Sequence, residues 1–266
     1  MHGLGNDFIL FDVPAAGAPS ADTIRRLADR YTGIGFDQAL MLESPRRPGT
    51  AVYYRIFNAD GREVEQCGNG ARCIARFLRE RGGDQADLVL DSPGGLVQTR
   101  MNGDQVSVTM GVPDFEPASL PFEASGEAYV YPLSVGASEV EVGAVSVGNP
   151  HAVMRVPAVA DAPVARLGPA IENHPRFPKR TNVGFMEVVD RGHIRLRVHE
   201  RGTGETRACG TGACAAVAVG RRHGLLDENV RVDLPGGRLD IQWKGPGELI
   251  WMTGPAERAF EGEVTL

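Results

Sequence analysis

Cysteine is scarce in this sequence, four residues of 266, too few for a disulfide-held scaffold of that size. Also missing is any apolar run of the length that a membrane-spanning helix needs, about 18 residues or more. The opening MHGLGNDF has no basic segment followed by an apolar one, so it does not read as a secretory signal. These absences lead to the expectation of a cytoplasmic protein with reduced thiols and no membrane partner. A basic surplus is absent as well: 28 Lys and Arg stand against 34 Asp and Glu, a net charge of −6. Neutralising phosphates requires the opposite sign, which argues against nucleic acid as a partner. There is no GxxxxGK[ST] loop and no GxGxxG after a strand. Lysine is rare, and neither Lys179 nor Lys244 lies in a recognisable cofactor context. The chemistry is therefore expected to need no cofactor and no metal.

Glycine (34) and proline (18) are plentiful, a composition for short strands and tight turns. An apolar content of 42% supplies a sizeable core, and the length suits one large domain or two ordinary ones. The four cysteines all fall in two copies of one phrase, QCGNGARC at 66–73 and ACGTGAC at 208–214, with Cys67 and Cys209 separated by 142 positions. The same interval relates Pro93 of DSPGG to Pro235 of DLPGG, Met110 to Met252, and Arg55-Ile56-Phe57-Asn58 to Arg197-Val198-His199-Glu200. Gly5-Asn6 matches Gly148-Asn149 at 143, and GIGFDQ resembles NVGFME with Gly35 and Gly184 at 149. Six collinear landmarks describe two homologous halves. The division expected is a first domain of 1–112 plus 254–266 carrying Cys67, a second of 113–253 carrying Cys209, and an active site in the cleft between them.

Each half reads the same way. VYYRIFNA and HIRLRVHE are strands by their β-branched and alternating apolar residues. Ala71, Ile74, Ala75, Leu78 and Ala213, Ala216, Val217, Gly220 recur at helical spacing, with Gly82 and Gly224 as C-terminal stops. The second of these helices is small and apolar throughout, so it is expected to be buried all round. Arg72 and Arg76 read as a solvated face of the first. After each helix come strands joined at Pro-Gly-Gly turns, while ADTIRRLADRY and PVARLGPAIENH read as an outer helix in each half. The fold class is α+β: two pseudo-symmetric domains, each of antiparallel β-sheets wrapped around a central helix.

A cysteine and Gly-x-Gly at a helix start have a physical meaning. The first turn of a helix has unpaired N–H groups and the positive end of the dipole, and glycine allows close approach. Such a start holds a carboxylate or phosphate and favours a thiolate. Cys67 and Cys209 are therefore read as reactive, and Cys73 and Cys214 as buried packing residues. Two equivalent thiols beside two anion cradles suit inversion at a carbon α to a carboxylate: one removes a proton, the other delivers one to the opposite face.

MHGLGNDF, GIGFDQ, NADG with QCGNGARC, GNPHAV, TNVGFM, and ERGTGET with ACGTGACA resemble the diaminopimelate epimerase family nearly end to end. The resemblance implies a PLP-independent isomerase, acting as a homodimer on LL-2,6-diaminoheptanedioate and its meso form in lysine and cell-wall precursor synthesis. It implies that Cys67 and Cys209 are the acid–base pair, with Cys67 the donor and Cys209 the acceptor in one direction. Gly68, Asn69, Gly210 and Thr211 match the carboxylate cradles. Asn6, Gln38, Asn58, Asn149 and Asn182 match substrate-binding amides, and Glu200 and Arg201 match the groups for the second amino acid centre. His151 and Glu200 match residues that tune the cysteines. Three departures stand out: family members usually carry a short strand before MHGLGN, a tyrosine at the position of His199, and a dimer-forming tyrosine where this chain has Phe260. A proline or hydroxyproline racemase-like enzyme of the same fold shares the cysteine logic without the Asn-rich set and Glu200-Arg201. A four-cysteine metal module fits poorly, because Cys-x5-Cys and Cys-x4-Cys are wider than most structural zinc spacings.

Overall fold

Each Pro-Gly-Gly triplet closes a hairpin because its last glycine adopts a φ that side chains avoid: +110° at Gly95 and +140° at Gly237. The structure is a computed structural model that describes residues 1–12, 19–64, 67–82, 87–136 and 138–264. Its two compact units are Met1–Thr109 with Thr253–Leu266, and Met110–Met252. The first holds β1 (His2–Gly3), β2 (Asn6–Asp12), α1 (Ala21–Ala28), β3 (Gln38–Glu43), β4 (Val52–Asn58), β5 (Glu63–Val64), α2 (Gly68–Glu80), β6 (Asp87–Ser92), β7 (Gly95–Asn102) and β8 (Gln105–Thr109). The second holds β9 (Tyr131–Val135), β10 (Ser138–Ser146), β11 (Pro150–Arg155), α3 (Val164–Glu172), β12 (Asn182–Asp190), β13 (His193–Glu200), β14 (Gly204–Thr206), α4 (Gly210–Arg222), β15 (Asn229–Leu234) and β16 (Gly237–Gln242). The last strand, β17 (Trp251–Pro255), carries the chain from the second unit back into the first.

The duplication holds strand for strand. In the first unit β2 lies parallel to β3, β3 antiparallel to β4, and β4 is flanked by antiparallel β5 and parallel β6, which turns back into β7. In the second unit β11, β12, β13, β14, β15 and β16 repeat that order and those directions. Helices α2 and α4 are offset by 142 at both ends, as are β6 and β15. An ion pair repeats too: Arg55 forks onto Glu63 at 2.7 and 2.7 Å, and Arg197 onto Glu205 at 2.6 and 2.9 Å.

The α+β class stands, but the sheets are mixed rather than antiparallel throughout. The parallel pairs arise where a helix intervenes between strands: α1 between β2 and β3, α2 between β4 and β6, and α3 and α4 in the same places of the second unit. Alternation along a strand records which face is buried, not the direction of its neighbour, so the sequence did not reveal this. One landmark is also corrected. Phe8 pairs with Gln38, and His151 with Asn182. Since Asn6 answers Asn149, Gln38 answers Asn182 at an offset of 144, and the likeness of GIGFDQ to NVGFME is not a repeat match.

The central helices are enclosed as expected. Helix α2 contacts β1, β2, β7 and β8, and α4 contacts β10, β11, β12, β13 and β16. Every residue of α4 from Gly212 to Gly220 is buried, so a charge anywhere on that stretch would be stranded without water. Both helices end on a residue followed by glycine at positive φ, Gly82 at +96° and Gly224 at +71°. Arg72 is not on a solvated face. It is fully buried, its Nε donating to the Pro255 carbonyl at 3.2 Å, at the place that Cys214 fills in the other helix. The outer helices pack through one face each: Ile24, Leu27 and Ala28 of α1 against Phe11, Phe36, Met41 and Phe57, and Leu167 and Ile171 of α3 against Val183 and Phe185. Among the described residues no helix is long and apolar enough to cross a membrane.

Close helix–sheet approach is the exposed weakness of this arrangement. A Cβ at Gly143 would lie 2.4 Å from Cγ1 of Val219 on α4, and a branched side chain cannot swing away. Gly143→Ala should therefore destabilise the protein by about 1–3 kcal/mol in denaturant unfolding. Gly126→Ala, where the new Cβ meets nothing within 4 Å, should stay within about 0.5 kcal/mol.

Candidate active site

The two leading cysteines take the same backbone position. Cys67 caps α2 and Cys209 caps α4, both extended, with φ of −148° and −117°. The Cys67 carbonyl opens its helix by accepting from Ala71 N at 2.9 Å, and the Cys209 carbonyl does so from Ala213 N at 3.0 Å. Sγ of Cys209 also accepts from Gly212 N at 3.3 Å and lies 3.5 Å from the Thr211 hydroxyl. Gly68 and Asn69 thus form the first turn of α2, and Gly210 and Thr211 that of α4. The second glycine of each phrase has a different task from ligand approach. A Cβ at Gly70 would sit 3.0 Å from Leu40, and one at Gly212 2.9 Å from Val198, so these glycines let the helix starts press on β3 and β13.

In the first unit the amides gather around α2. Gln38 Nε2 donates to Asn58 Oδ1 at 2.8 Å across the β3–β4 pair, and Asn69 Nδ2 donates to Asn6 Oδ1 at 3.3 Å. The second unit has the corresponding contact: Asn149 Nδ2 donates to the Thr211 hydroxyl at 3.3 Å. His151 Nε2 lies 3.0 Å from Asn149 Oδ1. Asn182 is buried and spends its amide on the backbone, donating to the Pro150 carbonyl at 3.0 Å and accepting from Arg201 N at 2.9 Å. It thereby holds the turn that carries Arg201, whose guanidinium donates to the Lys179 carbonyl at 3.2 Å. Glu200 accepts from the Thr206 hydroxyl.

Burial reverses one expectation. The helix start was expected to favour a thiolate at Cys209. Instead desolvation raises the Cys209 thiol well above its ordinary value, and the Glu200 carboxylate raises it further. The bonds from Thr211 and Gly212 lower it, but by less. Removing a thiolate from water outweighs one turn of helix dipole. Cys73 and Cys214 are fully buried, as expected of packing residues, and burial pushes Cys73 up to about 12. His151 is fully buried, and desolvation, with Arg201 adding to it, lowers its pKa to about 3.

Two of the noted departures have definite places. His199 turns away from Glu200 to Glu172 of α3, its Nε2 2.8 Å from Oε2, and its ring occupies the space where a Cβ at Gly168 would fall. Phe260 is 69% exposed. Residues that sequence reasoning passed over are Thr206, which binds Glu200, and Glu172, whose buried carboxylate also accepts from Gly202 N at 2.8 Å. Asp37, which binds Asn6 at 2.9 Å, was missed as well. Their partners lie on other elements, and only Asp37 has a signal in sequence, its place beside Gln38.

A duplicated α+β chain with a cysteine at the start of the enclosed helix in each half belongs to a class whose fold recurs in amino acid racemases. A hydroxyproline epimerase from Agrobacterium vitis, solved with trans-4-OH-L-proline, superimposes with a TM-score of 0.67 at 17% identity, over 96% of this chain and 87% of that one. A probable proline racemase from Agrobacterium radiobacter K84 gives 0.66 at 18%, over 96% and 88%, and a phenazine biosynthesis protein of the PhzF family from Enterococcus faecalis 0.65 at 14%, over 97% and 92%. At those identities the likeness is one of fold. The chain belongs to the diaminopimelate epimerase family, whose model matches residues 1–116 and 143–259. Diaminopimelate epimerase of Nitrosomonas eutropha (strain DSM 101675 / C91 / Nm57) is 55% identical over 274 residues, covering 100% of this chain and 98% of that protein. The same enzyme of Stutzerimonas stutzeri (strain A1501) is 53% identical over 269 residues, with 100% and 98% covered.

Two measurements check the electrostatics. Glu200→Gln removes the charge that holds Cys209 protonated, so alkylation of Cys209 at pH 8, followed by peptide mass spectrometry, should speed up about three- to tenfold. For His151 the unfolded chain binds a proton below about pH 6.5, whereas the folded protein does not until about pH 3. Its contribution to stability is therefore complete above pH 6.5 and is lost as pH falls towards 3. In His151→Phe, which copies the repeat mate Phe8, the stability lost between pH 7 and pH 5 should shrink by about 2 kcal/mol.

Proposed function

We propose that this protein interconverts LL-2,6-diaminoheptanedioate and its meso form by a two-base mechanism with Cys67 and Cys209, in lysine and peptidoglycan precursor biosynthesis. The observation that carries the mechanism is the duplicated cap: one cysteine at the start of the same enclosed helix in each half. Family membership supplies the substrate. In this scheme the Cys67 thiolate takes the α-proton while the Cys209 thiol delivers its own to the opposite face of the same carbon. Afterwards Cys67 is a thiol and Cys209 a thiolate, so the reverse reaction, with Cys67 the donor and Cys209 the acceptor, runs from that state. Glu200 and burial keep Cys209 protonated at rest, which readies the first of these directions. His151, uncharged and buried beside Asn149, adds no competing positive charge.

The negative charge that develops beside the α-carboxylate is met by the N–H groups of Gly68 and Asn69 on one helix start and Gly210 and Thr211 on the other. Asn6, Gln38, Asn58 and Asn149 offer amides to the diamino diacid, and Glu200 takes an ammonium. Arg201 takes the distal carboxylate, and Asn182 serves by holding the backbone of Arg201. The protein works in the cytoplasm as a homodimer, and the exposed Phe260 ring is an apolar contact for the second copy.

Deuterium uptake at the α-carbon in heavy water, followed with LL-diaminopimelate, proline and lysine in parallel, tests this reading. Exchange is expected with diaminopimelate alone, and exchange with proline instead would overturn it. Cys67→Ala and Cys209→Ala should each lower inversion by about 10²- to 10⁴-fold; robust inversion by either variant would rule out the two-thiol scheme.

A further inference from the structure

The repeat-related asparagines Asn6 and Asn149 differ in what stands behind them. Asn149 lies between His151 and the Thr211 hydroxyl, groups that can each donate or accept. Asn6 faces a carboxylate, which only accepts: Asn6 Nδ2 donates to Asp37 Oδ2 at 2.9 Å. That oxygen also accepts from Asp7 N at 3.1 Å, and Asp37 Oδ1 accepts from Arg30 Nη2 at 2.8 Å. Arg30 in turn forks onto Asp7 at 2.8 and 2.9 Å, and Asp7 Oδ1 accepts from Asp37 N at 2.8 Å. Two segments, the start of β2 and the approach to β3, are thus cross-braced by charged groups, and the Asp37 oxygen that faces Asn6 accepts from two N–H groups.

That arrangement fixes the sense of a whole chain of amides. With its NH2 committed to Asp37, Asn6 must turn its carbonyl to α2, where it accepts from Asn69 Nδ2 at 3.3 Å. Reversing Asn69 would set two carbonyl oxygens face to face. Oδ1 of Asn69 is therefore left as an acceptor, and this buried oxygen meets no hydrogen-bond partner among the described residues. Buried acceptors of this kind are normally paired. At the start of α2, where backbone N–H donors suit a carboxylate, the side chains present acceptors, which suit an ammonium group.

We propose that Asp37 is a positioning residue: through Asn6 it locks the carbonyls of Asn6 and Asn69 towards the start of α2, where they accept the ammonium group of the amino acid substrate. This rests on the epimerase reading and adds to it a device that fixes the sense of the amides at the start of α2. Asn149, held by groups of either sense, has no such lock.

The experiment uses the full-length protein with three variants, Asp37→Asn, Asn6→Asp and the double exchange. In Asp37→Asn the charge is lost, and an NH2 turned towards Asn6 would oppose Asn6 Nδ2 and Asp7 N, so KM for diaminopimelate should rise about 10- to 100-fold. Its kcat should change far less. Asn6→Asp sets two carboxylates against each other and should be impaired similarly. In the double exchange the amide now at position 37 can donate to the carboxylate now at position 6. That carboxylate again shows an oxygen to Asn69, so KM should recover at least about tenfold over the worse single variant. A structural role alone predicts additive losses, and that result would overturn the proposal, as would an unchanged KM in Asp37→Asn. An independent readout comes from comparing the wild type with Asp37→Asn, or with Asp37→Ser should that variant fail to fold, since these keep Asn6. The side-chain amide signals of Asn6, identified in an asparagine-labelled sample by their loss in Asn6→Ala, should shift towards those of solvent-exposed amides once residue 37 is not a carboxylate. Unchanged signals would overturn the lock. A wild-type protein inactive on diaminopimelate would instead count against the epimerase reading while leaving the amide result to stand.

Discussion

Each half depends on how closely its enclosed helix approaches the strands around it. Gly70 and Gly212 leave no room for a β-carbon, so the first turns of α2 and α4 press directly on Leu40 and Val198. That contact places the capping residue of each helix, Cys67 or Cys209, at the end of a strand–turn–helix unit with little freedom to shift. The sheets, the outer helices and the Arg55–Glu63 and Arg197–Glu205 forks can all be read as the frame that holds this contact.

The halves are alike in backbone and unlike in charge. Where the first has Phe8, Asn58 and Arg72, the second has His151, Glu200 and Cys214. The carboxylate beside Cys209 has an uncharged amide as its counterpart in the half that carries Cys67, so the charge that raises the Cys209 thiol is not repeated at the matching position of the other half. A reaction that needs one thiol and one thiolate at a time benefits from that inequality. The same logic extends to Asn6 and Asn149, repeat mates whose different neighbours give one of them a fixed sense. An amino acid is itself asymmetric about its reacting carbon, with ammonium and carboxylate on different sides.

Much of this was legible in the order of residues. The 142-residue offset, the capped helices, the Pro-Gly hairpins and the burial of Cys73 and Cys214 were all readable from local patterns: glycine at positive φ, helical periodicity, and a cap before a helix. The parallel strand pairs were not legible, because alternation is the same whichever way a neighbour runs. Nor was the match of Gln38 with Asn182, which needed two strand registers to establish against a more persuasive string likeness.

The remaining differences divide along one physical line. The sequence by itself determined the duplication, the helix starts and the chemical identities of the groups at them, since these rest on covalent structure and on contacts within a few residues. Tertiary structure decided the states of those groups. Whether Arg72 meets water or the Pro255 carbonyl, and whether Cys209 is driven to a thiolate by a helix start or kept protonated by burial and Glu200, depends on desolvation and charge brought in by distant elements. Likewise the sense of the Asn6 amide depends on a carboxylate 31 residues further along the chain. Hydration and Coulomb terms act through space, and folding is what sets those distances.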